Sequence, residues 1–170
     1  MTDNERLAEL LFPNISWTPQ QYEEQYPARQ LPEGARVTRF SPSPTGYLHI
    51  GGLFAAMTAR LTAKATSGVF FLRIEDTDKK REVEGGVTAI VTGLAAFGIT
   101  PDEGITGLGT ESGVYGPYQQ SKRREIYQCF AKELVRQGLA YPCFCTEAEL
   151  TALREQQEAQ AVNKGYYGEW

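Results

Sequence analysis

Two short β-forming runs flank a helix-forming stretch near the start of this chain, and no other feature narrows its fold as much. Arg36-Val37-Thr38-Arg39-Phe40 favours a strand, and Val69-Phe70-Phe71-Leu72-Arg73-Ile74 is almost wholly apolar and reads as a buried strand. Between them Leu53, Ala56, Met57, Arg60, Leu61 and Lys64 favour a helix from Gly52 to Lys64, which Gly68 breaks. Strand, helix and strand within roughly forty residues are what a parallel βαβ unit requires, because parallel strands need a long crossover. A second amphipathic helix follows, with Val87, Ile90, Val91, Leu94 and Phe97 at helical spacing before Gly98. The expected class is therefore α/β: a Rossmann-like parallel sheet with right-handed crossovers and helices on both faces.

The flanks have another character. Residues 1–35 read as a helical extension and linker. Leu7, Leu10 and Leu11 line one face of a short helix ended by Pro13 and Asn14. Thr18-Pro19-Gln20-Gln21 then starts a second helix, with Thr18 as cap, Pro19 at the first helical position and Gln21 closing a capping box. Pro27, Pro32 and Gly34 mark the linker. Residues 36–104 form the nucleotide-binding half. In 105–170, glycines and small polar residues give way to a helix from Gln120 to Gln137 and another from Thr146, whose capping box Glu149 closes. That stretch reads as the start of an inserted, mostly helical subdomain.

Composition excludes little. Hydrophobic content of 41% and charged content of 22% suit a chain that buries a core. No apolar run is long enough to span a membrane, and the acidic N-terminus is unlike an export signal. Three cysteines, with Cys143 and Cys145 too close for an ordinary structural disulfide, fit a reducing cytoplasm. Cys129 reads as a buried apolar residue. The net charge of −4 does not forbid RNA, because Lys79-Lys80-Arg81 and Lys122-Arg123-Arg124 are local basic clusters. Salt screens distant charge, so a groove feels its own neighbourhood, although solvated surface lysines would look the same.

Ligands of parallel sheets bind outside the carboxyl ends of the strands. Two segments fall there: the loop from Phe40 to Gly52, and Glu75-Asp76-Thr77-Asp78. Gly51 and Gly52 open a helix, where free N–H groups and the helix dipole favour a phosphate and the missing side chains admit a nucleotide. His49, the single histidine, can donate a hydrogen bond to charge developing on a phosphate oxygen. Pro42 and Pro44 stiffen the loop. By itself this is equally a proline-rich turn before a helix.

Four blocks together say more. Arg39 to Gly52 resembles the first signature of class I aminoacyl-tRNA synthetases in the version used by glutamyl enzymes. The match continues through Arg73-Ile74-Glu75-Asp76-Thr77-Asp78, Gly116-Pro117-Tyr118-x-Gln120-Ser121 and Tyr141-Pro142-Cys143-Phe144-Cys145-Thr146. The resemblance implies that His49, Gly51 and Gly52 cradle ATP and that Arg39, Ser43 and Glu75 hold glutamate. A guanidinium fork suits a carboxylate, and Glu75 would face the ammonium group. Arg39 and Glu75 could equally form a structural ion pair. Arg81, Tyr118, Gln120 and Ser121 match positions near the tRNA acceptor arm. Gly52 stands where the family often has a second histidine.

The implied reaction joins glutamate to tRNA(Glu) through glutamyl-adenylate, with Mg2+ accompanying ATP, in a cytoplasmic, monomeric whole protein. Many relatives hold zinc near the Cys-x-Cys pair, and here Cys143, Cys145 and Tyr166 or Tyr167 are the candidate ligands, short of the usual four. The lysine-rich second signature of the family is absent from the sequence, so the chain is expected to be a piece of a longer protein and inactive in charging alone. Two other readings stay open: the paralogue that glutamylates queuosine in tRNA, which typically has Asp-Leu-Asp in place of Asp76-Thr77-Asp78, and a non-catalytic RNA-docking module.

Overall fold

Both β-forming runs become strands, Val37–Phe40 (β1) and Val69–Leu72 (β2), in the computed structural model of the chain, which describes residues 1–166. They pair in parallel from Val37 opposite Val69 to Phe40 opposite Leu72. The helix between them is Ile50–Ala65 (α3), and Gly86–Ala96 (α4) leads to a third parallel strand, Glu103–Gly107 (β3). A short strand, Thr110–Ser112 (β4), folds back antiparallel on β3, giving the order β1-β2-β3-β4. Two helices, Asp3–Leu11 (α1) and Pro19–Gln25 (α2), precede the sheet. A 3-10 turn at Gln120–Arg123, then Arg124–Arg136 (α5) and Glu147–Ala159 (α6), follow it. Among the described residues no helix is long and apolar enough to cross a membrane.

The period-two alternation of β2 sets the layers. Phe70 and Leu72 are fully buried and pack with Ala56 and Ala63 of α3 and Ile90 and Leu94 of α4. Thr38, the parallel neighbour of Phe70, donates its hydroxyl to the Ala59 carbonyl of α3 at 2.8 Å. Burying each large apolar side chain contributes about 1.5–3 kcal/mol. The α/β class with a parallel Rossmann-like sheet holds. Of the helices expected on both faces, α3 and α4 lie on one, because both crossovers step the same way across the sheet. On the other face Phe71 meets Tyr118, with ring centroids 6.1 Å apart.

Two details depart from the sequence reading. The sheet runs past residue 104, since β3 crosses it and β4 extends to Ser112. Gly104 makes the approach to β2 feasible: with φ of +119°, a Cβ there would lie 2.1 Å from the Leu72 carbonyl oxygen. In α1, Ala8 is buried while Leu10 is 77% exposed, so the small residue makes the contact with α5. Lys132 of α5 ties this extension down, donating to the Glu9 carboxylate at 2.8 Å and to the carbonyls of Phe12 and Ile15. Cys129 is buried as expected, with its thiol 3.0 Å from the Trp17 carbonyl. The capping boxes at Thr18 and Thr146 both form.

Candidate functional site

The loop after β1 cannot continue the strand, and its prolines hand the chain to α3 two residues earlier than the glycines predict. His49 is the N-cap of α3, with extended backbone. Its Nδ1 accepts the Gly51 N–H at 3.2 Å. An imidazole accepting at Nδ1 carries its proton on Nε2, so the outer nitrogen is a donor. The glycine has a further reason to be there: a Cβ on Gly51 would sit 3.0 Å from His49 Cε1. The first-turn N–H groups of Ile50 and Gly52 have no intrahelical acceptor. His49 is exposed and lines a cleft of about 330 Å³ with Phe40, Pro42, Ser43, Leu48 and Gly52. A larger hollow of about 480 Å³ opens before β2 and β3, around Arg60, Lys64 and Asp102. It lies at the amino ends of the strands, the wrong end for ligands of such sheets.

The second segment meets the first through its backbone. Arg73 N–H donates to the Phe40 carbonyl and Glu75 N–H to the Pro42 carbonyl, both at 3.0 Å. Arg39 and Glu75 thereby stand side by side at the carboxyl edge, with Nη1 3.7 Å from Oε1 and side chains 44% and 32% exposed. At that separation and exposure the pair is loose and worth little to stability. Ser43 is exposed and lines the cleft with His49. Arg39, Ser43, Glu75, His49, Gly51 and Gly52 thus share one edge of the sheet.

Beneath them lies a residue that the sequence reading quoted but did not single out. The Asp76 side chain is wholly buried. Its Oδ2 accepts from the Ser121 hydroxyl at 2.6 Å, Gln119 Nε2 at 2.8 Å and Lys79 at 3.2 Å, and its Oδ1 accepts the Ser121 N–H at 2.9 Å. Burial pushes this carboxyl up, but the hydrogen bonds from Ser121, Gln119 and Lys79 outweigh it and hold the pKa at about 2. Asp76 is therefore a charged anchor that fixes Glu75 and the 118–121 segment together. The only sequence signal was its place in the acidic block.

The residues matched to the tRNA-facing positions separate. Tyr118 is 1% exposed and donates its hydroxyl to Glu103 at 2.7 Å, so it offers no surface to a partner. Burial and the Glu103 carboxylate push its phenol up to about 12. Ser121 spends its hydroxyl and N–H on Asp76, while the Gln120 side-chain oxygen accepts from Thr77 at 3.1 Å. Arg81 is exposed and donates Nε to Asp78 at 2.6 Å. Within the basic clusters, Lys79 is paired with Glu82 and Asp76, and Arg123 bonds the Pro117 carbonyl. Carboxylates thus balance Lys79 and Arg81 of the first cluster.

Cys143 and Cys145 converge on Tyr166, their Sγ atoms 3.2 and 3.6 Å from its hydroxyl. The tyrosine hydroxyl lowers the Cys143 thiol. Two thiols and a phenol do not make a closed zinc site, which takes about four ligands. Among the described residues no group of three His, Cys, Asp or Glu side chains could hold a metal. Tyr167, the other candidate, lies outside the described residues.

With this geometry in view, residues 36–169 match the family model described as tRNA synthetases class I (E and Q), catalytic domain. A glutamate–tRNA ligase of Clostridium perfringens is 54% identical over 166 residues, covering 98% of this chain and 30% of that protein. One of Acetivibrio thermocellus is 53% identical, covering 99% and 31%. The chain thus spans about 30% of the length of the curated relatives it matches. Among solved structures, the glutamate–tRNA synthetase of Elizabethkingia anophelis superposes with a TM-score of 0.69 at 42% identity, covering 81% of this chain and 27% of that one. A glutamate–tRNA ligase of Elizabethkingia meningosepticum, solved in complex with its amino acid, gives 0.68 at 41% identity, with 81% and 26% covered.

Proposed function

Because the chain belongs to the class I tRNA synthetase family whose catalytic domain serves glutamate and glutamine, we propose that its sheet edge is the ATP- and glutamate-facing half of a glutamate–tRNA ligase site. The observation that carries this is the exposed Arg39–Glu75 pair, 3.7 Å apart, beside the His49 cleft. Glutamate offers its side-chain carboxylate to Arg39 and its ammonium to Glu75, which replaces one loose ion pair with two charge-assisted ones and leaves the α-carboxylate free to react. Arg39 takes glutamate's carboxylate end in its fork while Ser43 offers a hydroxyl.

On the phosphate side, His49 Nε2–H and the first-turn N–H groups of α3 are donors held in place before substrate arrives. The reaction they serve is attack of glutamate's α-carboxylate on the α-phosphate of ATP, releasing pyrophosphate and leaving glutamyl-adenylate. The terminal adenosine of tRNA(Glu) then accepts the glutamyl group. Magnesium arriving with ATP supplies charge neutralisation on the phosphate oxygens. Of the tRNA-contact candidates, Arg81 has its charged side chain exposed. The two-thiol cluster takes no part in either step.

Calorimetric titration with a non-hydrolysable glutamyl-adenylate mimic tests the reading. Binding is expected for the chain, with loss on His49→Ala and on Arg39→Ala and no change on Cys143→Ala. Equal affinity in all four proteins would overturn it. The chain alone is expected to give no glutamate-dependent charging of tRNA, and measurable charging would refute that part. Selective transfer to queuosine-containing tRNA by the whole protein would favour the paralogue reading.

A further inference from the structure

Residues 1–35 lie outside the matched family model, yet one side chain from this stretch reaches the centre of the fold. Arg29 forms a fork on Glu103 of β3, with Nη1 to Oε1 at 2.5 Å and Nη2 to Oε2 at 2.6 Å. Both side chains are only 16% exposed. The guanidinium also lies over the Tyr115 ring, 3.8 Å from its centroid, and the Tyr115 hydroxyl donates to the Pro27 carbonyl at 2.9 Å. A bidentate pair that is also stacked on an aromatic face is the geometry for which lysine is a poor substitute.

Glu103 does not end the chain of contacts. The same Oε2 accepts the Tyr118 hydroxyl, and Tyr118 is bound on its backbone to the site strand. Ile74 N–H donates to the Tyr118 carbonyl at 3.0 Å, and Gln120 N–H returns to the Ile74 carbonyl at 2.9 Å. The next residues of that segment, Gln119 and Ser121, grip Asp76, the neighbour of Glu75. Each link is a short hydrogen bond between partly or wholly buried groups, so displacement of one is passed to the next rather than absorbed by solvent.

The geometry points to Arg29 as a positioning residue for the amino-acid end of the site, through Glu103, Tyr118 and the Asp76 anchor. This rests on the reading of Arg39 and Glu75 as the glutamate-facing pair. The extension is then more than a covering: it sets the placement of Glu75 relative to Arg39. The His49 loop meets that segment through the Glu75 N–H on the Pro42 carbonyl, but its His49 end is held separately, by the Val83 N–H on the Pro44 carbonyl and by the start of α3.

The test compares two ways of untying the same extension, in the chain as it stands. Arg29→Ala breaks the path, and Arg29→Lys keeps a charge without the fork. Lys132→Ala releases Glu9 and the Phe12 and Ile15 carbonyls without touching Glu103. Affinities for the glutamyl-adenylate mimic and for a non-hydrolysable ATP analogue are measured by calorimetry, at a temperature where melting curves show every variant folded. Arg29→Ala and Arg29→Lys are expected to lose mimic affinity by roughly tenfold, the scale of weakening one hydrogen bond to a charged group, with the ATP analogue unchanged. Lys132→Ala is expected to lower the melting temperature and leave both affinities alone. Retained mimic affinity in both Arg29 variants, or equal losses for mimic and ATP analogue, overturns the inference while leaving the site reading intact. Failure of the unaltered chain to bind the mimic overturns both.

Discussion

Replacing Asp76 by Asn removes one charge and almost no volume, so its cost isolates what the anchor does. The folded carboxyl, at about 2, lies below the 3.8 of the unfolded chain. A depressed carboxyl contributes stability that is complete above the unfolded pKa and is lost as pH falls through the folded one. The difference corresponds to roughly 2 kcal/mol at neutral pH, of which about half remains near pH 3. The amide adds a second cost. With its oxygen on the Oδ2 side to serve Ser121, Gln119 and Lys79, its NH2 faces the Ser121 N–H, and donor meets donor. A buried donor without an acceptor costs about 1–3 kcal/mol. Urea unfolding followed by far-ultraviolet circular dichroism is expected to place Asp76→Asn about 3 kcal/mol below the parent near neutrality, narrowing by about 1 kcal/mol near pH 3. A gap under about 1 kcal/mol, or one that does not move with pH, would refute the reasoning.

Other perturbations follow from the same geometry. Gly104→Ala places a methyl 2.1 Å from the Leu72 carbonyl oxygen at a φ that alanine resists, and is expected to cost more than about 3 kcal/mol; an unchanged melting temperature would show that β3 does not approach β2 as described. Thiol titration of the native chain is expected to modify Cys143 fastest, since it is exposed and its thiol is lowered. Cys129, buried and with its thiol raised by burial, is expected to react only on unfolding, and rapid modification under native conditions would contradict its packing against Trp17.

Periodicity and local chemistry were sufficient for most of the elements, but not for β3 and β4, whose glycine-rich stretch carries no strand pattern. Thr18 and Thr146 begin helices because each side chain can reach an N–H three residues on, a matter of neighbours along the chain. The apolar run at Val69 and the crossover length determined a parallel α/β sheet, and the proline-broken loop with its glycines pointed to a candidate site at a carboxyl edge. The four motif blocks identified the family, and with it the candidate roles of Arg39, Ser43, His49 and Glu75.

What the sequence could not determine depends on partners far along the chain. Asp76 meets Ser121 across 45 residues and Arg29 meets Glu103 across 74, separations at which no local pattern signals a hydrogen bond. Tyr118 matched a position near the tRNA acceptor arm, and only the docking of its segment against Ile74 turned it inward. Ala8 rather than Leu10 faces α5 because the helix approaches closely there, and approach distance is a property of two elements together. The strand–helix–strand pattern near the start was determined by sequence because periodicity, helix breakers and crossover length are read from neighbours along the chain. The rigidity of the edge it creates was decided by tertiary structure, where buried charges are held only by groups that folding brings from elsewhere.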